Sequence, residues 1–417
     1  MTLTDKERLK AYLVLNKDTS ATNARKLISD LMSEKHNWHL ADDWRDFFLD
    51  SIYGAIGVAY CNLNDWDNAI KYLNLALDAA NKNWPEYGYG NKQTLYHNLF
   101  ICYCNKLMKD EALDMRRKEI FNELKQMSYT HYPHFDFYTF RNTKSFAIAD
   151  LKENKVSFSS LSDFNDPVDS AYFQCADYYI STIEDPVQKM MDEVSVEAYN
   201  GLRAKCFITS KHLPNHTNYR PSSIDIPPFL NTIMWAHYAD YHKGYCAMYN
   251  FPSDITAVKD SEGYVLYTDE IDYVEELQYP STISFKQGFL TKSKRWEYEH
   301  EKRILYFQRD GVTAGHPEVK LPEGCLKEVY IGLRCENEAA IKDALDDKPD
   351  VKVFKMHVSQ QDIYSLEAVE IDRRTWKPVG TEAEKPQCAV KRVFSCLKKS
   401  IFNDCPELKS SKCWLGT

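Results

Sequence analysis

At 417 residues, 44% hydrophobic and 27% charged, the chain has the balance of a globular protein of two or three domains. A formal charge of −9 disfavours broad, sequence-blind binding of nucleic acid, which needs a basic surface to release phosphate counterions; a small basic nucleic-acid site stays open. The charged start, MTLTDKERLK, is followed by no apolar leader, and no run approaches the roughly 20 apolar residues of a membrane span, so a cytoplasmic protein with no transmembrane segment is expected. Its 12 cysteines are scattered without a CxxC and read as reduced thiols.

Residues 1–128 read as an all-α helical repeat. The clearest helix pair carries Tyr53, Ile56, Gly57, Tyr60, Ala69, Leu73 and Ala76, apolar or small at intervals of three and four. Gly57 and Ala69 are small where two helices must approach closely. About 43 positions later Tyr96, Leu99 and Tyr103 match Tyr53, Ile56 and Tyr60, and Ala112 matches Ala69; Phe100 replaces Gly57. A weaker pair spans residues 4–36, around Ala24, Leu27 and Leu31. The spacing looks like tetratricopeptide repeats, whose stacked pairs bury a core that one pair cannot. Such a stack serves either as a protein- or peptide-binding surface or as a rigid spacer or dimerisation arm. Trp84, Tyr87 and Tyr89 are groove or packing residues.

From about residue 132 to 372 the periodicity changes. Strands are expected at Phe135–Arg141, around Val156 and Phe158, and at Lys205–Thr209, Gly244–Phe251, Tyr264–Tyr267, Arg303–Phe307, Glu328–Ile331, Val351–Met356 and Tyr364–Ile371. Helices are expected at Phe146–Leu151, Pro186–Tyr199, Phe229–Tyr241 and Glu336–Leu345. Strands without regularly alternating helices argue for an α+β domain, mixed and largely antiparallel. His212–Pro228, rich in Pro, Asn and Ser, reads as a loop.

Four blocks invite a chemical reading. Arg141, at a strand end, either forks two oxygens of a phosphate or carboxylate or makes a surface ion pair. Phe164-Asn165-Asp166-Pro167 is a tight turn in which Asn165 and Asp166 bond to the backbone. Trp235, His237, Tyr238, His242 and Lys243 form a helix end running into a glycine stop; they supply either core packing or ring faces and cations for a nucleotide. Glu299, Glu301 and Arg303 share one face if they lie on a strand. Two adjacent carboxylates repel, so one titrates high unless a cation pairs with it, an arrangement suited to acid/base work or to a charged edge strand.

The standard phosphate loops GxxxxGK[ST] and GxGxxG are absent, as is GxSxG. His300-Glu301 begins an HExxH pattern, but Ile304 stands where the second histidine belongs, and no metal is predicted. Residues 373–417 form a basic tail: from Arg374 on, nine basic and four acidic residues leave a net +5, and Val390, Val393, Phe394, Leu397 and Ile401 recur at helical spacing. Such a helix packs back on the body or binds a membrane surface, an acidic partner or RNA.

Together, Phe164-Asn165-Asp166-Pro167, Cys206-Phe207, the Met234–Gly244 block and the run from Lys292 through Trp296, Glu299 and Glu301 to Arg303 resemble the bacterial domain of unknown function 2971 over residues 132–372. Members are often preceded by helical repeats, and the resemblance implies a role in bacterial stress or phage defence. The order of blocks is also similar to the ADP-ribosyltransferase fold, with Arg141 on a first strand and Glu299-x-Glu301 on a later one. That likeness implies NAD as substrate. Glu301 would stabilise the cation that develops as the nicotinamide–ribose bond breaks, and Glu299 would orient or deprotonate the acceptor. Arg141 would hold the pyrophosphate, and Asn165, Asp166, Trp235, His237, Tyr238, His242, Lys243 and Arg303 would complete the cofactor pocket. Alternatives are a nucleotide-sensing adaptor without chemistry, or a nuclease in which Asp166, Asp169, Glu299 and Glu301 gather around Mg²⁺.

Overall fold

The computed structural model of the protein describes residues 20–34, 42–83, 91–128, 136–164, 166, 168–169, 171–209, 227–251, 263–276 and 283–379. The expectations for residues 4–19, Trp84, Tyr87, Tyr89, Asn165, 212–226 and the tail from residue 380 lie outside the described residues.

Among the described residues five helices come first: α1 (Ala21–Glu34), α2 (Asp42–Asn62), α3 (Trp66–Asn83), α4 (Asn91–Asn105) and α5 (Lys109–Ser128). Helix α2 packs on α3, and α4 on α5. The two turns are the same turn 43 residues apart. Asn64 and Leu107 are both left-handed at φ 57°. Asp65 N bonds to Tyr60 O at 3.0 Å, and Met108 N to Tyr103 O at 2.9 Å. Buried Ile56 and Leu99 are matched in the same way, as are Ala69 and Ala112. At Gly57 an added Cβ would lie 2.6 Å from Leu73 Cγ, so the first pair needs glycine there. In the second pair, Phe100 and Arg116 stand in those places. The Arg116 guanidinium lies 5.3 Å from the Phe100 ring centroid, so a cation–ring contact takes the place of close helix packing.

The chain divides into two compact units. The first takes residues 1–134, 156–207 and 251–321, so the N-terminal helices do not stand alone. After strand β1 (Asp136–Arg141), helix α6 (Ser145–Glu153) and strand β2 (Lys155–Ser157) come short helices α7 (Ala171–Gln174) and α8 (Ala176–Ser181), then α9 (Pro186–Tyr199). Helix α9 starts where Asp185 Oδ1 accepts from Val187 N, with proline in the first turn. Helix α5 packs on α9. Phe100, Leu124, Val194, Tyr199, Leu305 and Phe307 belong to one buried core. Arg116 joins this seam, bonding Glu119 at 2.7 Å and Tyr199 Oη.

Strand β3 (Arg203–Thr209) precedes α10 (Thr232–Tyr238) and β4 (Tyr245–Asn250); then follow β5 (Tyr264–Glu270), β6 (Asp272–Val274), α11 (Phe285–Phe289), β7 (Thr291–Ser293), β8 (Glu301–Gln308) and β9 (Glu318–Lys320). In the first unit β5 pairs antiparallel with β8, from Tyr264↔Gln308 to Glu270↔Lys302, and β6 pairs parallel with β7. The short strands β6, β7 and β9 and helices α7, α8 and α11 were not anticipated; each is too brief to show a period.

The second unit takes residues 135–155, 208–250 and 322–417. Its later elements are β10 (Leu326–Ile331), α12 (Glu338–Leu345), β11 (Lys352–Val358), β12 (Leu366–Asp372) and β13 (Lys377–Pro378). The strand order is β13-β12-β11-β10-β4-β1. Neighbours are antiparallel except β10 and β11, which α12 joins by a crossover and which run parallel. Helices among largely antiparallel strands make this an α+β protein. No helix among the described residues is long and apolar enough to cross a membrane.

Candidate functional site

The expected strand carrying Glu299, Glu301 and Arg303 begins two residues too late to hold all three. Ser293 Oγ accepts from Arg295 N and opens a 3₁₀ turn over Lys294–Glu299; His300, left-handed at φ 45°, closes it. Glu299 therefore stands on the turn and Glu301 opens β8. Nor is β8 a charged edge: Glu301, Lys302 and Arg303 are all buried. The turn folds back so that both carboxylates meet Lys292. Its Nζ lies 2.7 Å from Glu299 Oε2, 3.1 Å from Glu301 Oε2 and 3.6 Å from Asp169 Oδ2.

Arg303, with no exposed surface, completes the cluster. Its Nε donates to Glu301 Oε1 at 2.6 Å, one terminal nitrogen to Asp169 Oδ1 at 3.0 Å, and the other to the Phe289 carbonyl at 2.8 Å. Three carboxylates thus share two cations. Burial alone would raise the Glu301 carboxyl, but Arg303 and Lys292 outweigh it and hold Glu301 down at about 2. Burial likewise opposes charge on Lys292, and Glu301, Asp169 and Glu299 together push its ammonium above the usual range. Burial first, then the Glu301 charge, drives the Cys206 thiol well up. The cluster is a buried ion network in which Glu301 and each of the cations Lys292 and Arg303 favour the other's charged form.

A cavity of about 300 Å³ opens against one side of this network. Asp169 and Lys292 belong to both the network and the cavity wall; Asp166, Tyr172, Glu275 and Gln287 add polar groups. Glu299 and Glu301 are not in the wall, and act on the cavity through Lys292 and Asp169. Asp166 also holds the turn before α7, as expected, with Oδ1 accepting from Val168 N at 2.9 Å. Of the carboxylates considered for Mg²⁺, Asp169, Glu299 and Glu301 converge instead on the Lys292 ammonium. Among the described residues no His, Cys, Asp and Glu group has the arrangement of a metal site.

The remaining sequence candidates belong to the second unit. Arg141 makes a 2.9 Å ion pair with Asp150 and lies over the Phe146 ring. Trp235 has no exposed surface, its indole N–H donates to the Phe229 carbonyl at 2.8 Å, and its ring stacks on His242 and meets Phe140 edge-on. A ligand would have to displace these neighbours to reach a ring face. His237 and Tyr238 meet edge to face. Helix α10 is shorter than expected because Asp240, Tyr241 and His242 form a left-handed turn at φ 46°, 54° and 69°. Gly244 then passes so close to the Arg141 carbonyl that a Cβ would stand 1.9 Å from its oxygen. His242 Nδ1 is buried without a hydrogen-bond partner, and burial, then Arg334, lowers the imidazole's proton affinity. Lys243 is exposed.

The structure thus brings Glu299, Glu301 and Arg303 together, with Asp166 in the adjoining wall, and adds two residues the sequence left without a leading role. Lys292 stood at the head of the Lys292–Arg303 run, where its spacing from Glu299 and Glu301 was visible but not its direction. Asp169 entered only as one of four carboxylates, with Asp166, Glu299 and Glu301, considered for Mg²⁺. Comparison with known proteins finds no matching family model, no matching curated protein and no matching solved structure.

Proposed function

We propose that the first unit's cavity binds the cationic, hydroxylated end of a nucleotide, the nicotinamide–ribose of NAD, and that the chain is an ADP-ribosyltransferase-like effector whose helical repeats engage a protein target. The observation that carries this reading is the shared wall: Asp169 and Lys292 face the cavity while the buried network fixes them. Among the described residues three acids (Asp166, Asp169 and Glu275) and one base, Lys292, line the wall, so these charges sum to net negative. A phosphate is repelled there; a pyridinium ring and a ribose diol are favoured. At about 300 Å³ the cavity is at the small end of ligand sites and suits a nucleoside, not a whole dinucleotide.

On this reading Asp169 is the carboxylate nearest the cation that develops as the glycosidic bond breaks. Glu301 and Glu299 are positioning residues: they hold Lys292, and Glu301 holds Arg303. The adaptor reading is favoured by one observation, that neither glutamate lines the cavity. Thermal unfolding of the full chain with NAD, ADP-ribose and inorganic pyrophosphate, beside an assay of NAD consumption, separates them. NAD should stabilise most, ADP-ribose less and pyrophosphate not at all, and Asp169→Asn should remove the NAD shift. Equal stabilisation by pyrophosphate would refute the cationic-end assignment. Stabilisation by NAD without consumption would establish the adaptor.

A further inference from the structure

The helical pairs contain a second reactive arrangement, unrelated to the cavity. Cys61, at the end of α2, and Cys102, near the end of α4, place their sulfurs 3.3 Å apart across 41 residues of chain. These helices belong to successive pairs, so the contact bridges one pair to the next. Cys102 is fully buried among Ala69, Leu73 and Leu99, and Cys61 is half-buried against the same cluster. One sulfur is therefore reachable from solvent and the other sits directly behind it.

We infer that Cys61 and Cys102 are a peroxide-responsive thiol pair that closes into a disulfide and ties the two helix pairs together. A disulfide needs a sulfur separation of about 2.0 Å, so the thiols must approach by a little over 1 Å, within the reach of side-chain rotation and a small helix shift. The neighbouring thiol does not compete. Cys104, two residues on, points into the other core, with Phe100, Ala112 and Leu124. Positions two apart on a helix lie on nearly opposite faces. The contact with Cys102 lowers the Cys61 thiol, while the same contact and burial raise Cys102.

The order of events follows from the difference in burial, which leaves Cys61 as the sulfur that solvent reaches. The Cys61 thiolate attacks one oxygen of hydrogen peroxide, the O–O bond breaks, and hydroxide leaves a sulfenic acid on Cys61. The Cys102 sulfur then attacks the Cys61 sulfur. The S–O bond breaks, and the Cys102 proton departs with the hydroxyl as water. Two thiols lose two electrons in all, and one peroxide becomes two waters. The bond closes a loop running through the α2–α3 turn, α3 and most of α4, which restrains the unfolded chain and so raises the unfolding temperature.

The test treats the full chain with hydrogen peroxide, blocks remaining thiols, and maps cross-linked peptides by mass spectrometry. Expected is a Cys61–Cys102 link, reversed by dithiothreitol, retained in Cys104→Ser and absent in Cys61→Ser. The wild type should unfold several degrees higher after oxidation, and Cys61→Ser should not shift. A link from Cys61 to Cys104, or Cys61 carried to sulfinic acid with Cys102 still a thiol, would overturn the assignment. So would both thiols remaining reduced while exposed Cys175 is oxidised. These readouts on the wild type do not depend on how well any variant folds.

Discussion

The charged network of the first unit and the left-handed turn of the second are both irregular and both fall in the expected functional blocks, yet they are held by opposite means. Lys292, Arg303, Asp169, Glu299 and Glu301 stay buried because each charge is answered at 2.6–3.6 Å by another. Remove one partner and the rest are left desolvated. The Asp240–His242 turn rests on shape: Trp235 fills the space behind it, and Gly244 lets it close on Arg141. Left-handed backbone at non-glycine residues costs about 1–2 kcal/mol each, so this turn stores strain. Charge pairing fixes groups that face a cavity; steric closure fixes a backbone path. The first is what a binding site needs from its wall.

The comparison can be broken at several points. Lys292→Met should have the largest effect, about 3–5 kcal/mol off the stability in urea denaturation, because three buried carboxylates are left to Arg303. If the loss stays below about 1 kcal/mol, water reaches the cluster and the network is not what holds it. Gly244→Ala should cost about 3 kcal/mol through overpacking, read by the same denaturation, since backbone rather than a movable side chain stands in the way.

Acid sharpens the contrast further. The Glu301 carboxyl is lowered from 4.5 to about 2, so the stability it contributes is present above pH 4.5 and is lost as pH falls toward 2. Glu301→Gln should flatten that part of the acid-unfolding profile, by about 3 kcal/mol between its ends. The slope should persist in Gly244→Ala. The smallest effect is expected at Tyr241, 70% exposed at φ 54°. Tyr241→Gly should raise stability by about 1 kcal/mol, since glycine adopts this conformation without a Cβ clash. A loss of stability instead would mean that the tyrosine ring, and not the backbone, is what matters in this turn.

Much of this was legible beforehand. Ile56 with Leu99, and Ala69 with Ala112, gave away the 43-residue helical pairs, because burial on one helical face imposes its spacing on the sequence. Alternation and β-branched runs located β1, β3, β4, β5, β8, β10, β11 and β12 within a few residues. Asp166 was read as a turn residue because its side chain bonds only two residues away, and such short-range bonds are written in adjacent positions. The Glu299–Arg303 block was recognisable as unusual, since carboxylates so close together require cations.

Which cations, and facing what, was not readable. Glu299 and Glu301 were placed on one strand because two-residue spacing is the signature of a strand face; a single left-handed residue, His300, broke the strand and turned the pair onto Lys292. Asp169 reaches Arg303 across 134 positions, and Cys61 meets Cys102 across 41. Local patterns determine periodic elements and turns, because those bonds and faces repeat within a few residues. Ion networks, cavity walls and thiol pairs depend on side-chain direction and on chain segments brought together from afar, and only tertiary packing sets these.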